Sequence, residues 1–295
     1  MKKTFIAAAI AALISAPVAA DVTVSGTVEQ EVIFADGDSV TRNTDVVSGD
    51  SEIVFSGSED LGNGNSAFFK MSMGVNSEGA GSATASKDMY VGLAGEFGSV
   101  QVGQFFGLIG TASDKTVDVY ETSLGLDVNN SGRVANAAAY TTPSFGGIQG
   151  TIAMVSNGAA GEEYADALQY MVSYNTDDLY VAGVLSNDEA TDDKVYFLGA
   201  RASMGDFGLG GGFERQDPTV GAESDLWIVG GDYTFGNNVA TIGYQDEDGS
   251  GNTWAAELKH SFSKRTSVYG AYQVFEADAV DSDTNTFGAG IRHNF

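Results

Sequence analysis

The chain has 295 residues, with 14 lysines and arginines against 40 aspartates and glutamates and a formal net charge of -26. That balance argues against nucleic-acid binding, which rests on cations neutralising phosphates. With no cysteine there is no disulfide framework, iron–sulfur cluster or cysteine-ligated zinc site, and 43% apolar with 11% aromatic residues is too rich for a disordered chain.

The N-terminus places Lys2 and Lys3 before an apolar run over 5–14, then Ser15, Ala16, Pro17, Val18, Ala19 and Ala20. This is the pattern of an export signal cleaved after Ala20, and the run is too short to cross a bilayer. The expected organisation is therefore a signal peptide over 1–20 and one domain over 21–295.

From there the sequence alternates with period two. Val22, Val24, Gly26 and Val28 interleave with Thr23, Ser25, Thr27, Glu29 and Glu31. Ala67, Phe69, Met71, Met73 and Val75 interleave with Ser66, Phe68, Lys70 and Ser72. The same pattern closes the chain at Trp254, Ala256 and Leu258 against Glu257 and Lys259, and at Phe287, Ala289, Ile291 and Phe295 against Arg292 and Asn294. Successive strand residues face opposite ways, so each strand has an apolar and a polar face.

Short connections (58–64, 96–99, 175–178, 235–238) alternate with long acidic ones (35–49, 76–86, 156–166, 187–193, 246–252, 277–283). That rhythm is an up-and-down meander of about 16 strands. Periodicity alone does not say which face meets water. Export, the alternation of short and long loops, and aromatics near strand ends (Tyr90, Tyr140, Tyr174, Tyr233, Phe262, Phe295) favour lipid outside and water inside.

The fold expected is all-β: a closed transmembrane antiparallel barrel, the form that satisfies every backbone group in lipid by strand pairing. Glu29, Glu31, Arg201, Glu257, Lys259 and Arg292 then face the lumen. The first strand closes against the last, with both mature termini on the short-turn side. Gly208, Gly210, Gly211 and Gly212 mark either a close backbone approach or strand-end turns.

Three ordered pieces carry a resemblance: SGSEDLGNG (56–64), GLAGEFGSVQVGQ (92–104) and RVANAAAYTTPSFGG (133–147), followed by the terminal IRHNF. Together they resemble the Gram-negative general diffusion porins, the sixteen-stranded trimeric kind, over essentially the whole mature chain. The resemblance implies a homotrimer among outer-membrane lipids and lipopolysaccharide, passing small hydrophilic solutes and ions, with Phe295 as the aromatic assembly signal. It also implies a third loop, 105–132, folded into the pore. There the loop carboxylates Asp114, Asp118, Glu121 and Asp127 would face the wall bases Arg133 and Lys70.

The sequence departs from the family pattern at Gln104 and Glu52, where wall arginines are common. The thinner basic side points to a weakly cation-selective pore. The alternative is a ligand-specific channel or a structural or adhesive outer-membrane protein. A sugar channel usually lines its path with aromatics, and this loop offers Phe105, Phe106 and Tyr120. No cofactor is implied. Calcium at Asp246 and Asp248 is conceivable, but the spacing fits no full calcium loop and solvated carboxylates are the simpler reading. No serine pairs in sequence with His260 or His293 to suggest an enzyme.

Overall fold

The computed structural model describes residues 21–37, 42–76, 84–156, 165–189, 191–278 and 282–295. The export signal lies outside the described residues. In chain order the first half contains β1 (Asp21–Gly37), β2 (Asn43–Val47), β3 (Glu52–Gly62), β4 (Asn65–Val75), β5 (Thr84–Gly95), β6 (Gly98–Phe106), the short helix α1 (Leu108–Ser113), β7 (Arg133–Thr141) and β8 (Ile148–Val155). The second half contains β9 (Ala167–Asn175), β10 (Leu179–Asp188), β11 (Lys194–Met204), β12 (Phe207–Asp217), β13 (Ser224–Phe235), β14 (Asn238–Glu247), β15 (Gly251–Ser261), β16 (Thr266–Ala277) and β17 (Asp283–Asn294).

From β3 to β17 every strand pairs antiparallel with its chain neighbour, and β1 pairs with β17 from Thr27↔Asn294 to Gly37↔Thr284, so the sheet closes. β2 and β3 both lie against β1, at Glu31↔Val47 and Val24↔Phe55, and together make one stave of a 16-stranded barrel. Gly26 and Phe295 exchange backbone hydrogen bonds at 3.0 and 3.2 Å, which ties the C-terminus to the first strand as the alternation predicts.

The turns between paired strands are tight where the sequence supplies left-handed residues. Asn63 (φ 56°) and Gly64 (φ 75°) are the two central residues between β3 and β4. That pair of positive φ values makes the hairpin turn whose twist matches the strands.

The outer face is apolar and exposed. Val22, Val24 and Val28, then Val172, Leu198, Trp227, Ile242 and Leu258, are each at least half exposed, the reverse of a water-soluble core. Buried in hydrocarbon rather than left in water, each such side chain is stabilised by about 1.5–3 kcal/mol. Exposed aromatics mark both rims, with Phe97, Tyr140, Tyr174 and Tyr233 toward the short turns and Phe34, Trp254, Tyr272 and Phe287 toward the long loops. Phe34 stacks on Phe287, and Phe207 on Tyr233.

Four sequence expectations are corrected. Residues 35–49 are not one long loop, because β1 runs to Gly37 and β2 fills 43–47. These ends stand in water, where polar residues such as Asp36 and Asp45 blur the alternation while backbone pairing continues. The connections read over 246–252 and 58–64 shrink to 248–250 and 63–64 for the same reason. Tyr90 is no rim aromatic: its ring meets Phe68 and Phe105 edge-on and packs against the internal cluster described next.

Buried apolar residues form one cluster. It joins Phe105, Leu108, Ile109, Ala112, Val117, Leu126 and Val128 to Ala139, Ala153, Ala182, Phe197, Leu226, Ile228 and Ala255 of the wall. The wall members share strand parity with the buried Glu214 and Glu257, and not with the exposed band.

Candidate functional site

Besides the apolar cluster, segment 107–132 is held to the wall by polar side chains. Glu257 accepts from the backbone N–H of Thr122 at 2.8 Å and of Glu121 at 3.0 Å. Glu31 accepts from the Ser123 hydroxyl at 2.6 Å and N–H at 3.2 Å, and from the Thr122 hydroxyl. Glu214 accepts from the Asn130 side chain at 2.7 Å and its backbone N–H at 3.3 Å. Gln169 receives the Leu108 N–H at 2.9 Å, and Gln273 donates to the Leu124 carbonyl at 3.1 Å. Each of the three carboxylates is nearly inaccessible, between 0% and 5% exposed, so losing their donors would strand buried charge.

The glycines of β11 and β12 make room for this segment. A Cβ at Gly210 would run into the Thr116 carbonyl. One at Gly199 would lie 2.6 Å from the Thr116 hydroxyl, and one at Gly212 3.2 Å from Val117. Of the two readings of the glycine run, close backbone approach is what Gly210 displays, while Gly212 is crowded by side chains alone.

Charge is arranged in three groups. In the first, Glu121 of the segment meets Lys259 at 2.7 Å and Arg292 at 3.0 Å, with Arg292 also 3.8 Å from Glu29. Glu29 itself takes the Tyr269 hydroxyl at 2.5 Å and the Asp50 N–H at 3.0 Å, across the break between β2 and β3. In the second, Asp88 lies between Lys70 (2.6 Å) and Arg133 (2.8 Å), and the Arg133 guanidinium stacks 4.0 Å above the Phe106 ring. In the third, Lys87 pairs with Asp50 and stands 3.5 Å from Glu52, and Gln104 donates to the Lys87 carbonyl at 2.6 Å.

The structure therefore brings Glu121 together with Lys259 and Arg292, whereas Lys70 and Arg133 are held by Asp88 and not by the loop carboxylates. Among the described residues Asp114, Asp118 and Asp127 have no ion-pair partner. Burial raises the Asp114 carboxyl above its ordinary value, reinforced by Asp127 and opposed by Arg133. Burial first, then the neighbouring carboxylates Asp114 and Asp127, pushes Asp118 up to about 7.

Asp88, Lys87, Asp50 and Glu214 were missed in the sequence. Asp88 carries a usable signal, since it shares strand parity with Tyr90 and Gly92 opposite the exposed Met89 and Val91. Lys87 carries none, because the β4–β5 register shifts between Met71 and Met73 and breaks the parity there. Arg201 pairs with Asp232, away from the other groups. Asp246 is paired within β14 and Asp248 lies in the β14–β15 turn, where it accepts weakly from the Asp225 N–H at 3.4 Å. Among the described residues no group of three or more carboxylates or imidazoles is placed to hold a metal ion.

A closed antiparallel barrel with an apolar outer band, aromatic rims and a charged interior defines a bacterial outer-membrane barrel. Residues 7–282 match the Gram-negative porin family, and the chain belongs to it. Its place is accordingly the Gram-negative outer membrane.

The chain is 31% identical over 193 residues to the major outer membrane protein P.IB of Neisseria lactamica, covering 59% of this chain and 56% of that protein. It is 29% identical to P.IB of Neisseria meningitidis serogroup B, covering 61% and 57%. The match thus spans little more than half the length of these relatives. The fold is also that of an anion-selective porin from Comamonas acidovorans, with a TM-score of 0.80 at 21% identity over 94% of this chain and 100% of that one. Salmonella typhi OmpF gives a TM-score of 0.76 at 17% identity over 93% and 97%.

Proposed function

We propose that the protein is a passive diffusion channel for small hydrophilic solutes and ions, narrowed by segment 107–132 lying inside the barrel, with a weak preference for cations. The observation that carries this reading is the set of hydrogen bonds from the segment to Glu31, Glu257 and Glu214 on the polar face of the wall. A charged, water-facing path lets hydrated solutes pass without binding, and nothing in such a mechanism calls for a catalytic group or cofactor.

The cation preference rests on pairing. Each base around the segment, from Lys70 and Lys87 to Arg133, Lys259 and Arg292, faces a carboxylate. Among the described residues Asp114, Asp118 and Asp127 remain without an ion-pair partner, three carboxylates against the one unpaired ammonium of Lys115 in the same segment. Distant loop charges are screened over about 8 Å at physiological salt, so these near-path groups decide the sign. The Comamonas acidovorans porin is anion-selective, so the fold does not fix the sign and the side chains must.

The test is the reversal potential of single channels in a KCl gradient, measured from pH 6 to pH 8. A raised carboxyl pKa means charge present above that value and lost below it. With Asp118 at about 7, cation preference should grow through this window. An anion-selective sign at pH 8, or no pH dependence, would contradict the assignment.

We propose further that the chain works as a homotrimer seated among lipid and lipopolysaccharide; OmpT of Vibrio cholerae, which shares the fold, has a trimer form. The first strand, with Val22, Val24 and Val28 exposed on its outer face, offers a low surface for subunit packing. Light scattering of the detergent-solubilised protein should give three chains per particle; a stable single chain would refute it.

A further inference from the structure

A cavity of about 220 Å³ lies between α1 and the inner wall of β6–β10. Its wall residues Gln101, Thr141, Gln149, Ser173 and Tyr180 all sit at the short-turn ends of their strands, so the cavity opens on that side of the loop. The lining is unusual for a chain with 40 acidic residues, because no carboxylate contributes to it. Hydroxyls and amides supply the polar surface, and the one charge is the ammonium of Lys115.

Lys115 makes no ion pair among the described residues; its ammonium stands 5.1 Å over the Tyr180 ring. The Tyr180 hydroxyl is buried beside Ser173 without a hydrogen bond of good distance and angle. A buried phenol without a partner costs about 1–3 kcal/mol, a cost that a ligand hydroxyl arriving there would remove. Lys115 and Tyr180 also line an adjoining hollow, where Asp177 and Asp178 face Arg201, so the carboxylate-free side of the pair is the cavity beneath α1.

From this arrangement we infer that the cavity beneath α1 is a binding subsite for small hydroxylated monocarboxylates, whose carboxylate pairs with Lys115 while their hydroxyls meet Tyr180 and the Thr, Ser and Gln side chains. The volume is below the roughly 300–1,000 Å³ of drug-sized pockets, which fits a solute of single-sugar size. The inference rests on the reading that segment 107–132 lies in the permeation path. In that setting the subsite gives an otherwise acidic pore a local foothold for an organic anion.

The experiment is blockade of single channels of the full protein in planar bilayers, with gluconate, glucose or hexanoate added on the short-turn side. Gluconate should produce concentration-dependent closures at least roughly tenfold more strongly than glucose or hexanoate, since one lacks the charge and the other the hydroxyls. Lys115→Gln should weaken gluconate blockade roughly tenfold, and Lys115→Arg should keep it within a few-fold. Tyr180→Phe should weaken gluconate and leave hexanoate unchanged.

Equal blockade by glucose, equal blockade by hexanoate, or undiminished gluconate blockade in Lys115→Gln would each overturn the inference. A channel that conducts normally but is never blocked by gluconate overturns the subsite alone. Absence of any conductance would overturn the channel reading with it.

Discussion

Replacing Glu31 and Glu257 together by alanine is expected to raise single-channel conductance at least twofold and to make the open level noisy. These two carboxylates collect donors from Glu121, Thr122 and Ser123, at the point where the segment crosses the wall of β1 and β15. Hydrogen bonds to charged groups contribute about 1.5–3 kcal/mol each, so losing several shifts the docked population by orders of magnitude. Pairing of Glu121 with Lys259 and Arg292 would hold part of the segment in place, which is why the expected state is fluctuating rather than empty. The barrel itself should survive, since its closure is carried by the β1–β17 backbone ladder. Conductance unchanged from the wild type would mean that these bonds do not position a constriction.

The second large effect concerns charge. Asp114→Asn, Asp118→Asn and Asp127→Asn combined should abolish cation preference or turn it toward anions. The triple variant leaves Lys70 and Arg133 paired with Asp88 and leaves Lys115 without an ion pair, with Asp177 and Asp178 of the adjoining hollow as its remaining carboxylates. The neutral amides preserve size, so conductance should change less than selectivity. Glu121→Gln alone frees Lys259 but leaves Arg292 beside Glu29 at 3.8 Å, and should shift preference toward anions by less than the triple variant. Reversal potentials in a KCl gradient distinguish these cases. A triple variant with the wild-type potential would show that the three aspartates lie off the ion path.

The barrel was legible because its cause is local. A strand with lipid on one side and water on the other must alternate, and Val22, Val24 and Val28 against Glu29 and Glu31 do so without help from distant residues. Where strands leave the membrane that cause disappears, and so did the signal: Asn43–Val47 pairs with β1 yet reads as loop. Tyr90 shows a second limit, since an inward aromatic and a rim aromatic look alike until the partner, here Phe105, is in place.

The site was only partly legible, for a different reason. Sequence parity says which residues face inward but not which of them meet across the barrel. Glu31 and Glu257 were placed in the lumen, but their hold on residues 121–123 joins positions some 90 and 135 residues apart. The charge count on the wall changes once Asp88 and Lys87 are added. Asp88 neutralises the two bases expected to face the loop, and the loop's own carboxylate Glu121 finds its bases on β15 and β17 instead. The glycines of β12 carried the information in plain view. Their meaning depended on Thr116 and Val117 arriving opposite them.

The central claim is a water-filled barrel narrowed by segment 107–132, and its most direct measurement is the swelling rate of proteoliposomes in isosmotic neutral sugars of increasing size. A narrowed diffusion pore should admit the smallest sugars fast and show a steep fall in rate with solute size, without saturation at high concentration. The Glu31→Ala, Glu257→Ala variant should shift that fall to larger solutes. No swelling with any sugar, or a rate independent of size up to large oligosaccharides, would contradict it.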